Sequence, residues 1–130
     1  MATKKVIYTD QAPAPVGPYN QAIATRGELI FVAGQIPLNA QGEMVGDDDI
    51  KTQTEQVMNN LKAILTEAGV DFSAVVKTSV FLSDLNNFVP MNEVYAKYFP
   101  ENPPARACVE VARLPKDVLV EIECIAVRDS

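Results

Sequence analysis

Apolar residues follow two rhythms along this chain, one helical and one alternating. In DDDIKTQTEQVMNNLKAILTEAG, residues 47–69, Ile50, Val57, Leu61, Ile64, Leu65 and Ala68 recur at helical spacing and give one apolar face. Asp47 to Asp49 supply an N-cap and negative charge at the positive helix end, and Gly69 supplies the stop. The aspartate triplet reads as capping, since no further carboxylates follow at calcium-loop spacing. A second helix is predicted in LNNFVPMNEVYAKYF, residues 85–99, capped by Asn86 or Asn87 and running from Val89 to Tyr98. Pro90 falls in its first turn, where proline is tolerated.

The alternating segments predict strands. VIY at 6–8 is a short edge strand, and NQAIATRGELIFVAGQ at 20–35 predicts two strands joined in a tight hairpin at Arg26-Gly27. Between them QAPAPVGPY, residues 11–19, carries three prolines and one glycine and predicts a stiff, irregular loop. Gly34 ends a strand where a missing side chain lets something approach the backbone, or where the strand simply bulges. AVVKTSVFLSD at 74–84 is a further strand, and RACVEVAR and VLVEIECIAV close the chain as a hairpin of two strands joined across LPKD. The order predicts an α+β fold, a mixed β-sheet with both helices on one face, in one domain over residues 1–130.

Charge then complicates the closing strands. Alternation puts Arg106, Cys108 and Glu110 on one face, with Ala107, Val109 and Val111 on the other. Glu121 and Glu123 share a face opposite Val120, Ile122 and Cys124. Helices cannot cover unpaired carboxylates cheaply, which leaves solvent, an ion-pair lattice or another subunit. Leu119, Ile125 and Val127 make the glutamate face greasy for free solvent, so a subunit interface fits better. Such interfaces leave clefts. The fork of Arg106 matches a carboxylate, and Glu121 nearby can act as an acid–base group; a plain Arg–Glu ion pair remains open, because the pairing register is not fixed by parity.

Composition removes several chemistries. The chain has no histidine, which excludes Ser-His and Cys-His pairs and the commonest zinc ligand. Its net charge of −6 opposes general binding to nucleic acid or anionic membrane. Cys108 and Cys124 lack CxxC spacing and read as buried free thiols in a reducing compartment. With no apolar run of signal or membrane length, a cytoplasmic location is the default expectation.

GPYNQA (17–22), AGQIPLN (33–39), VKTSVFLSDLNNF (76–88) and above all PPARACVEVARLPKDVLVEIECIAV (103–127) resemble the RidA proteins, the reactive intermediate deaminases. The resemblance covers nearly the whole chain. It implies a chorismate-mutase-like α+β fold in a barrel-like homotrimer with clefts between subunits. The implied activity is that of a 2-iminobutanoate/2-iminopropanoate deaminase, which hydrolyses enamines and imines such as 2-aminoacrylate and 2-aminocrotonate to 2-keto acids and ammonia. This is metabolite damage control, with no cofactor and no metal. Carried over by resemblance, Arg106 binds the substrate carboxylate and Glu121 positions water and moves protons. Tyr19 enters the cleft from a neighbouring chain, Gly34 and Cys108 offer backbone to the ligand, and Asn92 lines the wall. Ala33 and Ala107 stand where relatives often have serine. A carboxylate-binding trimer without catalysis is the alternative, and an endoribonuclease a weaker one.

Overall fold

The computed structural model describes residues 3–129. Helix α1 spans Ile50–Glu67. The Asp49 carboxylate caps it, accepting from the Lys51 and Thr52 N–H groups at 3.1 and 3.3 Å. At the other end the Gly69 and Val70 N–H groups donate to the Thr66 and Leu65 carbonyls, a Schellman closure. Val57, Leu61 and Leu65 of the predicted face are buried, joined by Met58, while Ile64 stays exposed. Buried Gln53 ties α1 down: its amide donates to the Gly46 carbonyl at 2.9 Å and its carbonyl accepts from the Leu119 N–H at 2.8 Å.

The second helix, α2, is shorter than expected, Phe88–Ala96. A 3-10 turn at Leu85–Asn87 leads into it, and Asp84 caps that turn by accepting from the Asn86 N–H at 2.9 Å. Asn87, in the cap position of α2, makes no side-chain cap bond, so the expected asparagine cap is replaced by an aspartate one turn earlier.

Among the described residues six strands flank these helices in sequence: β1 (Thr3–Ile7), β2 (Ala22–Arg26), β3 (Glu28–Gln35), β4 (Val75–Leu82), β5 (Ala105–Glu110) and β6 (Val120–Arg128). They form an antiparallel β1–β2 pair and a mixed sheet in the order β3-β6-β4-β5, where only β4 and β5 run parallel. Neither predicted hairpin forms. β2 and β3 belong to different sheets, and Gly27 turns the chain from one to the other at φ +129°. A Cβ on Gly27 would lie 2.5 Å from the Arg128 carbonyl oxygen. β5 and β6 do not pair either, because β4 lies between them and takes partners on both edges. The connecting segment is used to cross the end of β4: the Val111 N–H donates to the Leu82 carbonyl and the Ser83 N–H to the Leu119 carbonyl.

One sheet face is dry, as alternation predicts. Val80 and Leu82 of β4 and Val120, Ile122, Cys124 and Ala126 of β6 pack with Val57, Met58, Leu61, Met91 and Tyr95 in a single core. Both helices therefore cover the same face. The opposite face holds Glu121, Glu123 and Ile125, with Phe31 71% and Val109 46% exposed. Val127 departs from the prediction for that face: it is fully buried beneath the Gly27 turn. No helix among the described residues is long and apolar enough to cross a membrane.

The Gly27 geometry predicts that Gly27→Ala lowers unfolding free energy by about 2 kcal/mol or more, since an L side chain meets both positive φ and a backbone oxygen. Urea unfolding would show this as a lower midpoint at unchanged slope; an unchanged midpoint would mean that the turn relaxes freely.

Candidate functional site

Arg106 sits on β5 opposite Thr78 of β4, and its side chain lies on the helix-covered face. Its Nη1–H donates to Asn92 Oδ1 at 2.6 Å. Its Cζ lies 4.9 Å from the ring centroid of Tyr95 and 5.6 Å from those of Tyr19 and Phe88. Phe88, Asn92 and Tyr95 are spaced four and three residues apart on α2, so one helical stripe supplies most of this nest. Among the described residues no carboxylate pairs with Arg106. A half-buried guanidinium held against π faces, with no counter-charge, can donate its remaining N–H groups to a small anion.

Tyr19 comes from the proline-containing loop, and its neighbours in sequence fix that loop. Gln21 accepts from the Thr9 N–H at 2.7 Å and donates to the Thr9 and Pro13 carbonyls at 3.0 and 2.8 Å. Asn20 donates through Nδ2 to the Pro103 carbonyl at 2.7 Å and through its N–H to the Pro104 carbonyl at 3.1 Å, just before β5. The loop is thereby tied to the strand that carries Arg106. Tyr19 thus meets Arg106 of its own chain, where the resemblance had it arriving from a neighbour.

Cys108 lies two residues beyond Arg106 on the same face, half-buried against the core. Burial pushes its thiol above the ordinary 9.0, and the charge of Arg106 offsets that only in part. A thiol so held is protonated at neutral pH and a poor nucleophile.

Glu121 and Gly34 occupy a second place. Glu121 is the register partner of Phe81 and points to the open face, whereas Arg106 pairs with Thr78, which faces the helices. The structure therefore does not bring Arg106 and Glu121 together within one chain. β3 slips register between Val32 and Gln35, and the Glu121 carboxylate fills the space beside Gly34. A Cβ there would overlap Oε2 and lie 3.0 Å from Cδ of Glu121. Gly34 combines both sequence readings, a bulge and a close approach, but the approaching group is the chain's own carboxylate.

Sequence reasoning missed Phe88, Tyr95 and Gly17, whose Cβ position lies 3.6 Å from Arg106 Nη2. The helical spacing around Asn92 carried the signal for the first two. Among the described residues, no three His, Cys, Asp or Glu side chains gather as a metal would require.

The Endoribonuclease L-PSP family matches residues 9–128 of this chain. A RutC family protein of Synechocystis is 58% identical over 127 residues, 96% of this chain and 97% of the relative. A RutC family protein of Pyrococcus abyssi is 56% identical over 126 residues, 97% and 98% of the two chains. Among solved structures, a Yersinia pestis protein of the conserved Rid family superposes with a TM-score of 0.85 at 29% identity, covering 96% of this chain and 98% of that one. Escherichia coli TdcF with bound serine superposes at 0.73 with 43% identity, covering 96% and 99%. The chain belongs to this RidA/RutC family.

The buried thiols predict a pH dependence. Burial raises Cys124 from 9.0 to about 12, so the folded state keeps a proton that the unfolded chain releases. This contribution is complete below about pH 9 and is lost as pH rises towards 12. The urea midpoint should fall over that range, and less steeply in Cys124→Ala; equal slopes in the two proteins would contradict the assignment.

Proposed function

We propose that this chain hydrolyses small enamines and imines derived from amino acids, such as 2-aminoacrylate and 2-aminocrotonate, to 2-keto acids and ammonia. The observation that carries this reading is the guanidinium of Arg106, oriented by Asn92 and three aromatic rings and left without a carboxylate among the described residues. A substrate carboxylate supplies the missing charge, and its fixed position turns a collision into an oriented complex. The enamine takes a proton at its methylene carbon to give an iminium. Water adds to the imine carbon, and the C–N bond then breaks, so that 2-aminoacrylate and water yield pyruvate and ammonia. Glu121 is the group assigned to move these protons. Because such enamines already hydrolyse in water, an acceleration of about 10²–10⁴ from a positioned acid–base group suffices.

The reading requires a second copy of the chain. Arg106 and Glu121 face opposite sides of one sheet, so a shared site forms only where the Arg106 nest of one protomer meets the Glu121 face of another. The exposed Phe31, Leu29 and Val109 on that face suit burial against a partner. A homotrimer with sites between subunits, working in the cytoplasm without a cofactor, is the assembly we assign. Serine bound to TdcF favours a pocket for small amino or keto acids, and equally a binding protein without turnover. The endoribonuclease name of the family finds little support in a chain of net charge −6 with no histidine.

The test couples a threonine dehydratase to this protein and follows 2-ketobutyrate formation, with a parallel titration by 2-ketobutyrate. Wild type should accelerate release; Arg106→Ala should lose most of the acceleration, and Arg106→Lys should not restore it. Binding without acceleration would select the non-catalytic reading, and full activity in Arg106→Ala would overturn the anchor. If sites are shared, inactive Arg106→Ala and Glu121→Ala chains, unfolded together and reassembled in equal amounts, should recover about one quarter of wild-type activity, because that fraction of interfaces is intact. No recovery would overturn the shared site.

A further inference from the structure

Three rings face the guanidinium of Arg106, and only one of them is fixed inside the core. Tyr19 and Phe88 are half-buried, whereas Tyr95 is fully buried and nearest, 4.9 Å from Cζ. Its ring rests on Phe99 with centroids 4.9 Å apart. Its hydroxyl shares a 2.7 Å hydrogen bond with Thr78 Oγ1, itself 1% exposed. Thr78 is also the strand partner of Arg106. The residue opposite the arginine backbone therefore anchors the ring beneath the arginine head group.

We propose that Tyr95, held by Thr78, is a positioning residue that sets the direction in which Arg106 presents its guanidinium. The inference rests on reading Arg106 as the anion anchor. Burial raises the Tyr95 phenol to about 12, so the hydroxyl stays protonated and bonded across the neutral range. Phe88 and Tyr19 complete the nest, but neither has a polar group tied into the sheet core. A cation over a desolvated ring gains most when the ring cannot tilt away.

The test compares wild type, Thr78→Val and the double variant Thr78→Val/Tyr95→Phe. The single change leaves a buried phenol without its partner; the double change removes both polar atoms, keeps the ring and is nearly neutral for packing. One readout needs no ligand: the Arg106 Nε–Hε resonance, assigned by its loss in Arg106→Lys and shifted by the ring currents around it. The other is the calorimetric affinity for 2-ketobutyrate. Thr78→Val should move or broaden the resonance and weaken binding about three- to tenfold; the double variant, which also lacks the bond, should regain stability but keep both changes. A Thr78→Val protein that melts earlier but keeps the wild-type resonance would overturn the proposal, leaving Thr78–Tyr95 as a packing bond only. If wild type fails to bind 2-ketobutyrate while the resonance responds as expected, positioning is upheld and the carboxylate reading of Arg106 falls. Should Thr78→Val not fold, Tyr95→Phe alone breaks the same bond from the ring side and is expected to give the same shift.

Discussion

Strand β5 runs parallel to β4, and a parallel pair cannot be closed by a hairpin. The chain must leave the end of β4, cross over and re-enter at the opposite end of the sheet, where β4 began, and α2 lies in that crossover. A crossover helix lies flat on the sheet it bridges, which sets Phe88, Asn92 and Tyr95 directly above the strand that carries Arg106. The aromatic nest is thus a by-product of one pairing direction. The same pairing makes β5 an edge strand, next to the loop that brings Tyr19. It also makes β4 a central strand, whose alternation sends Thr78 inward and Phe81, the neighbour of Glu121, outward.

Much of this was legible in the sequence, and the failures share a cause. The long helix, the strand at 75–82 and the dry face of β6 follow from periodicity, because each buries one stripe or one face and local spacing records which. Both hairpin expectations failed because adjacency in sequence says nothing about a strand arriving from elsewhere. β4 enters between β5 and β6, and β2 turns away to β1. Parity correctly placed Arg106 with Cys108 and Glu121 with Glu123, yet only the pairing register shows that these two sets face opposite sides. Resemblance named Arg106, Asn92 and Tyr19 as one site, and the geometry gathers all three. It had no means to name Thr78, whose part depends on a hydroxyl reached through a ring.

A chain without histidine has to control charge by burial and separation instead of by titration near neutrality. The thiols of Cys108 and Cys124 are held protonated by their surroundings, which removes the most reactive side chains from competition. What remains is the oriented cation of Arg106 on the helix side and the carboxylates of Glu121 and Glu123 on the open side. Their placement on opposite faces stops them from neutralising each other within one chain.

The contact between Gly34 and Glu121 has a consequence for how this sequence can drift. The carboxylate of one residue takes the volume that a side chain of the other would need, so the two positions are not free to vary independently. Replacing Gly34 first drives the Glu121 carboxylate out of its place beside the bulge, while shortening 121 first opens a hole beside a bulged strand. Either route passes through a damaged intermediate. The glycine is what lets the glutamate hold its carboxylate in that place, so the two positions carry one constraint.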